Sequence, residues 1–231
     1  TGMSAAALAP NDSEAQLSPA ITYGKMLPLQ GSKEQVEASP RIKAGADKAI
    51  KLDPRNDVAW HVLGRWHQAL ANVSGLKRAL GGLIYGKLPT TTNEAAVACF
   101  DKAIAINPKS GDLFNNLGMS YTLAGEYEKA LQAYVTAADL KQDKKNRIYA
   151  NMGIALGKLG RYDEALKVFK MAGDEASAYN NLGCIYLAEE KYAEAIAAFQ
   201  KAMEVNPKYY VKARENMLRA EAMMKGAESL N

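Results

Sequence analysis

The sequence predicts an all-α fold, because its composition lacks strand patterning and because one short motif recurs along it. Of its 231 residues, 48% are hydrophobic and 23% are charged, which is ordinary for a globular protein. Alanine and leucine dominate, and the alternation of β-branched or aromatic residues that is typical of strands is hard to find. The tetrapeptide NNLG stands at 115–118 and at 180–183, with the near-copy ANMG at 150–153. The chain is therefore expected to consist of helices arranged in repeats.

The glycine of this motif belongs to a longer pattern of small and aromatic residues. In three places an alanine follows the glycine by twelve residues, and an aromatic residue follows the alanine by four. These sets are Gly118, Ala130 and Tyr134; Gly153, Ala165 and Phe169; and Gly183, Ala195 and Phe199. This is the pattern of the tetratricopeptide repeat (TPR), in which about 34 residues form two antiparallel helices that pack closely at the small residues. We expect one right-handed TPR superhelix, an α-solenoid with a concave groove, over residues 1–231.

The boundaries of the repeats follow from the positions of the motif and of the prolines that close the units. We expect an irregular repeat at about 11–54, a repeat with a helical insertion at 57–108, regular repeats at 111–142, 146–174 and 176–207, and a C-terminal capping helix at 208–226. The stretch AAALAPND at 5–12 is typical of the last turn of a helix, so the chain is expected to begin inside a repeat.

Two repeats are expected to have irregular helices. In the first repeat, a helix that ends near Leu27 is expected to connect through a polar, turn-rich stretch to a second helix of about Pro40 to Leu52. Further along, Ala172 lies only seven residues before Tyr179. The helix before it is therefore expected to be about one turn short and to stop at Gly173.

The insertion of the second repeat lies at about 70–92, because 32 residues separate Gly64 from Ala96 instead of twelve. We expect the first helix of this repeat to run on beyond the stack before the chain doubles back. Apolar residues follow at helical spacing, and with the adjacent tyrosine they are Leu76, Leu80, Leu83, Ile84 and Tyr85. They are expected to form a satellite core beneath the extension. The alternative is an exposed apolar contact for a partner subunit or a lipid.

Residues of about 18–108 resemble the TPR domain of the regulator-of-microtubule-dynamics family. The matching stretches are ITYGKM, PRIKAGADKAIKLDPRNDVAWHVLGRWH, GLKRALGGLIYGKLP and NEAAVACFDKAIAINP, and they include the insertion. The resemblance implies an interaction module, sometimes found at organelle contacts and credited in places with lipid binding. Microtubule binding is not carried over. From Leu113 onward the chain resembles ordinary TPR proteins, including bacterial assembly lipoproteins.

Asparagine stands two residues before the motif glycine in three consecutive repeats, as Asn116, Asn151 and Asn181. In the TPR superfamily this position points into the groove. Because a primary amide offers a donor and an acceptor together, a row of amides can hold the backbone of an extended peptide without reading its sequence. The alternative is that each asparagine supports its own helix through a side-chain hydrogen bond.

Three further residues are candidates for charged or polar contacts in the groove: His61, Arg65 and Arg147. Some relatives grip a C-terminal carboxylate at these places with lysine, asparagine and arginine. The lysine is absent here, so we expect a mildly basic groove that favours acidic segments, with the two arginines as its charged contacts.

Catalytic, metal and cofactor sites are not expected. His61 and His67 are six residues apart, which does not match the spacing of a metal pair on a helix, and no side chain stands in a recognisable nucleophile setting. The net charge of +4 is spread along the chain without a basic and aromatic track, which argues against a nucleic-acid partner. No apolar run has the roughly 20 residues of a membrane span. Cys99 and Cys184 are read as two buried, reduced thiols, which favours a reducing compartment.

The function expected from the sequence is that of a non-enzymatic scaffold or adaptor for protein–protein interaction. It would bind an extended peptide or a partner helix in the groove, alone or as a subunit of a larger assembly. The alternative function is a lipid-binding or lipid-transfer module that uses the apolar insertion or the groove. The sequence names neither the partner nor the compartment.

Overall fold

The computed structural model describes residues 6–75, 78, 88–141, 143, 145–206 and 210–228, and this part of the chain contains helices and no strand. The all-α fold is therefore confirmed. The helices are α1 (Ser13–Met26), α2 (Ser32–Leu52), α3 (Asp57–Ala71), α4 (Asn93–Ile106), α5 (Gly111–Ala124), α6 (Tyr127–Leu140), α7 (Asn146–Lys158), α8 (Tyr162–Ala172), α9 (Glu175–Ala188), α10 (Tyr192–Val205) and α11 (Tyr210–Glu228). A short 3₁₀ helix, Leu27–Leu29, follows α1.

The helices divide into two compact units, residues 1–126 with α1 to α5 and residues 127–231 with α6 to α11. Each unit is described by itself. The sequence repeat at 111–142 thus supplies α5 to the first unit and α6 to the second. One continuous stack over residues 1–231 stays a prediction.

The first unit is built from antiparallel helix pairs that are tied together at their ends. Ser13 Oγ at the start of α1 donates to the carbonyl of Ala49 near the end of α2, at 3.0 Å. Asn107 Nδ2 after α4 donates to Asp57 Oδ2 at the start of α3, at 2.8 Å. Between the helices lies a core whose buried members are Leu17, Ala20, Ala38, Ile42, Ala46, Ala49, Ala59, Leu63, Trp66, Leu70 and Cys99.

The second helix of the first pair is longer than the sequence predicted. The turn-rich connection expected before Pro40 is wrong, because α2 already begins at Ser32 and includes this proline. The residues of 33–37 are mostly strong helix formers, and Pro40 removes only one intrahelical hydrogen-bond donor. The buried face continues through the proline from Ala38 to Ile42, so packing offsets the lost bond.

The first helix of the second pair is shorter than predicted. We expected it to run on into the insertion, but α3 ends at Ala71, where Asn72 Nδ2 donates back to the carbonyl of Gln68 at 2.6 Å. Arg78 then holds the helix end in place by donating to the carbonyls of Leu70 at 2.5 Å and Pro89 at 2.8 Å. The insertion residues expected to make an apolar cluster, Leu76, Leu80, Leu83, Ile84 and Tyr85, lie outside the described residues.

The motif glycines allow two helices of a pair to approach closely. A β-carbon placed on Gly183 of α9 would lie 2.5 Å from Cε1 of Phe199 on α10, and one on Gly64 would lie 2.8 Å from Cε1 of Phe100. Gly153 has the same relation to Phe169. The ring of the second helix therefore rests directly on the backbone of the first, which explains the recurrence of glycine and phenylalanine.

The second unit contains the pairs α7/α8 and α9/α10, with α11 packed on α10. The predicted shortening is confirmed, since α8 has 11 residues against 14 in α10 and is followed by Gly173. The predicted capping helix is α11, whose Ala213 and Ala220 are buried against Phe199 and its neighbours. A second cluster of buried residues lies between α7, α8 and α9: Leu156, Ala165, Phe169, Ala178, Leu182 and Ile185.

Candidate peptide-binding site

In the first unit the structure brings together three of the predicted contacts, His61 and Arg65 on α3 and Asn116 on α5. Asn116 Nδ2 lies 2.8 Å from His61 Nε2, so the amide donates and the imidazole carries its proton on Nδ1. Asn116 is only 2% exposed, and its Oδ1 is buried with no hydrogen-bond partner among the described residues. If Oδ1 and Nδ2 of Asn116 were exchanged, the oxygen would accept from His61 and the buried nitrogen would lack a partner instead. Asn116 can therefore meet a ligand only by turning away from His61.

A buried polar contact that was not expected from the sequence lies further along the same two helices. Gln68 Nε2 donates to Ser120 Oγ at 2.9 Å and to the carbonyl of Asn116 at 3.2 Å, and both side chains are buried. The available signal was spacing: His61, Arg65 and Gln68 stand at i, i+4 and i+7, which is one face of a helix. This polar contact joins α3 to α5.

The electrostatic environment of this face is mixed in sign. Burial and then the charge of Arg65 lower the pKa of His61, while Asp112 and Asp57 act in the opposite direction. His61 is consequently neutral at pH 7, and the exposed Arg65 carries the positive charge. The two carboxylates reduce the basic character that the sequence analysis expected.

In the second unit, Asn151 on α7 and Asn181 on α9 occupy corresponding positions of two first helices that pack against each other, and both are half-buried. Arg147 is exposed one turn before Asn151 on the same helix. Lys158 and Glu189 join the far ends of these helices through an ion pair of 2.6 Å. Asn151, Asn181 and Arg147 therefore belong to a shared pair of helices, whereas His61, Arg65 and Asn116 belong to the other unit.

The first asparagine of each NNLG motif is buried inside the fold. Asn115 and Asn180 are 0% and 1% exposed. Asn180 Oδ1 accepts from Asn216 Nδ2 of α11 at 3.0 Å, and Asn115 Nδ2 lies 3.9 Å from the sulfur of Met119. The sequence does not distinguish these residues from the asparagines that follow them, because both stand in the same tetrapeptide.

The remaining histidine and the cysteines do not form a metal site. Within the described ranges no group of three histidine, cysteine or acidic side chains could hold an ion. His67 is half-buried, edge-on to Trp66 at 5.0 Å, with Nδ1 2.5 Å from Thr91 Oγ1. Cys99 is buried, which raises the pKa of its thiol to about 11. The expectation of two buried thiols is wrong for Cys184, which is exposed on α9 beside Asn216.

Comparisons with known proteins agree with the helix pairs and the glycine contacts. TPR family models match residues 147–172 and 176–209. The solved TPR protein YrrB aligns with 96% of this chain and 98% of its own, at 20% identity and a TM-score of 0.60. The type IV pilus biogenesis factor PilW aligns with 95% and 94% of the two chains, at 18% identity and a TM-score of 0.60. The chain is a TPR protein.

The family of the chain is shown by a family model that matches more than half of its residues. The model of the family "Regulator of microtubule dynamics protein 1-3" matches residues 1–150, and the chain belongs to that family. Regulator of microtubule dynamics protein 1 of Caenorhabditis elegans is 30% identical over 102 residues, which cover 44% of this chain and 45% of the relative. The human protein 2 is 25% identical over 142 residues, covering 59% of this chain and 35% of the relative. The chain thus spans less than half the length of these relatives.

One physical property of the helices bears on membranes. In the portion of the chain that the structure describes, every helix falls short of the length or the apolar character that crossing a bilayer requires.

Proposed function

We propose that this chain is a non-enzymatic scaffold that holds an extended segment of a partner protein, with Asn151 and Asn181 as contacts to the peptide backbone. One observation carries the proposal. The two amides stand at the same position of their repeats, on α7 and α9, which pack against each other, and both side chains are half-buried. TPR domains as a class mediate binding between proteins. The solved relative YrrB is described as having an unusual peptide-binding site, which supports a peptide as the ligand.

The chemistry of the amide favours backbone recognition. Each asparagine can accept from a peptide N–H and donate to a peptide carbonyl, and each such bond contributes about 0.5–1.5 kcal/mol net. Arg147 is exposed one turn away and supplies a positive charge for an acidic side chain of the same segment. Arg65 has this role in the first unit, where Asn116 would act after releasing His61.

The proposal is tested by selecting random phage-displayed peptides on the full chain and measuring the affinity of the best one by isothermal titration calorimetry. Replacing Asn151 and Asn181 together with alanine is expected to weaken binding about 30-fold, because two bonds of roughly 1 kcal/mol each are lost and each 1.4 kcal/mol corresponds to a factor of ten. The matched control is Gln200→Ala, which removes an exposed amide from the second helix α10 and is expected to leave the affinity unchanged.

A second measurement separates backbone recognition from side-chain recognition. N-methylation of single peptide bonds in the selected peptide is expected to weaken its binding to the parent chain, since the methyl group removes the donor that the asparagine oxygen accepts. Equal affinities of the parent and the doubly substituted chain, with unchanged circular dichroism, would assign both asparagines to helix structure only. The lipid-binding alternative uses either the groove or the apolar insertion residues, which lie outside the described ranges, and it stays a prediction.

A further inference from the structure

A hollow of about 870 Å³ opens between α6 and α8 of the second unit. Its apolar lining comes from Leu131 and Val135 on α6, Leu156 on α7 and Val168 on α8. The polar side chains of Gln132, Thr136 and Lys167 also line it. Arg161 and Glu164 stand at its edge. Its volume falls in the range of about 300–1,000 Å³ that is usual for ligand pockets. None of the predicted peptide contacts lines it, so this hollow is separate from the site described above.

The hollow coincides with a departure from the repeat pattern at one of its lining residues, Leu156. Three residues after the motif glycine the chain has His67, Tyr121 and Tyr186 in three repeats, but Leu156 in the fourth. Leucine is shorter than tyrosine and has no ring. At this position of α7 the shorter leucine leaves space between α6 and α8. Leu156 forms part of the lining of that space.

The next repeat shows how the same place is filled when the tyrosine is present. The ring of Tyr186 on α9 contacts that of Tyr162, with ring centroids 4.6 Å apart, and the ammonium group of Lys191 lies 4.5 Å from the centre of the Tyr162 ring. The pKa of the Tyr186 phenol is raised by burial, then by Tyr162 and Asp163, and then by the charge of Glu194. Glu194 therefore also lies near the phenol of Tyr186. Two tyrosine rings thus pack together here, with Lys191 over the Tyr162 ring and the charges of Lys191 and Glu194 both acting on the Tyr186 phenol.

The edge of the hollow has residues of the same charge at the corresponding positions. A shift of 30 residues takes Leu156 to Tyr186, Arg161 to Lys191 and Glu164 to Glu194. Arg161 and Glu164 form a two-point ion pair, with Nε to Oε1 at 2.7 Å and a terminal guanidinium nitrogen to Oε2 at 2.6 Å. A planar guanidinium held in this way can stack on an aromatic ring, and the carboxylate can accept from a hydroxyl.

We propose that the hollow receives a tyrosine side chain of a partner protein, which takes the place that Tyr186 fills in the next repeat. The apolar part of the lining favours the ring, and the ion pair at the edge suits the phenol hydroxyl. The hollow is larger than one ring, so residues next to the tyrosine in the partner fill the remainder. Val135, which is 49% exposed at the mouth, supplies an apolar surface for them. A buried aromatic anchor of this kind is a common source of binding energy between proteins.

The test uses p-cresol, the side-chain analogue of tyrosine, titrated into the ¹⁵N-labelled full chain and followed by NMR. A dissociation constant on the order of 1 mM is expected for so small a molecule, with shifts confined to α6, α7 and α8 around the hollow. Leu156→Tyr is expected to weaken binding at least about tenfold and to raise the thermal midpoint, because its own ring fills the space. Leu156→Met keeps the volume and is the matched control, with binding unchanged.

A second blocking variant and a second probe make the result decisive. Gln132→Trp places a ring at the exposed rim, where folding is not at risk, and is expected to weaken p-cresol binding as well. Equal affinity of the parent and both blocking variants, or shifts elsewhere, overturns the proposal. Binding of octanoate without binding of p-cresol also overturns it, since the hollow would then take an acyl chain. The Asn151 and Asn181 alanine variant is expected to bind p-cresol normally, which keeps this proposal independent of the peptide site.

Discussion

Gly183 is a residue whose identity is set by one neighbouring ring. Its backbone lies so close to Phe199 that an added β-carbon would be within 2.5 Å of the ring carbon Cε1. Phe199 is fully buried at 0% exposure and is surrounded by Ala195, Ala202 and residues of α11, so it has no space to withdraw into. The helix tolerates the poor propensity of glycine at this point because close packing of the pair offsets it.

Gly183→Ala is accordingly expected to destabilise the second unit by about 1–3 kcal/mol, the usual cost of overpacking a filled core. Gly226→Ala in α11 is the control in the same unit, because its added methyl group would meet nothing within 4 Å. That variant is expected to be neutral or to gain up to about 1 kcal/mol from helix propensity. Urea unfolding followed by far-UV circular dichroism measures both, and equal shifts in the two variants would contradict the packing argument.

At the scale of single elements, the ends of the first helices differ in a way that bears on stability. Gly125 after α5 and Gly160 after α7 have positive φ angles of 81° and 74°, the left-handed conformation that commonly ends a helix. After α9 the corresponding conformation, with φ of 59°, is adopted by Glu190, which carries a side chain. A side chain in this region costs about 1–2 kcal/mol because its β-carbon crowds the backbone.

Glu190→Gly is therefore expected to stabilise the second unit by roughly 0.5–1 kcal/mol, after allowing for the greater entropy of glycine in the unfolded chain. Gly160→Ala is the reciprocal variant and is expected to destabilise by about 1 kcal/mol, since alanine would take the strained conformation. Thermal unfolding monitored by circular dichroism gives both values. A lower midpoint for Glu190→Gly would show that its side chain contributes contacts that exceed the strain.

At the scale of the whole molecule, two histidines, the chain's complete complement, contribute to the response of stability to mild acid. Burial lowers the pKa of both from the ordinary value of 6.5, assisted by Arg65 beside His61 and by Lys43 beside His67. Asp112 and Asp57 oppose this shift at His61, and Asp47 opposes it at His67. The unfolded chain consequently takes up protons at a higher pH than the folded chain does.

The free energy of unfolding is expected to be highest above pH 6.5 and to fall as the pH decreases toward the folded-state pKa values, because protonation favours the unfolded chain there. Trp60 and Trp66 are the chain's two tryptophans and both lie in α3, so their fluorescence reports unfolding of the first unit. His61→Gln keeps a hydrogen-bonding side chain and is expected to reduce the slope of stability against pH between 5 and 7. An unchanged slope would show that His61 is not the group that titrates.

The sequence by itself determined the class of fold and the helix pairs, as the glycine at 183 and the phenylalanine at 199 illustrate. Their spacing records a contact between two helices that are neighbours along the chain, and such local contacts leave a regular pattern. The shortened α8 and the capping helix α11 could be predicted for the same reason, since each depends on residues close in sequence.

Only the tertiary structure decided which of the similar side chains are buried. Asn116 and Asn181 stand at the same place in the motif, yet the first is buried against His61 and the second is half-buried. The continuation of α2 through Pro40, the end of α3 at Ala71 and the hollow beside Leu156 were likewise absent from the sequence pattern. The physical reason is that a repeat pattern records the packing within a helix pair. Asn116 is buried against His61, which lies 55 residues away along the chain, and α3 ends where Asn72 and Arg78 bind its last carbonyls. Neither kind of contact belongs to the repeat pattern.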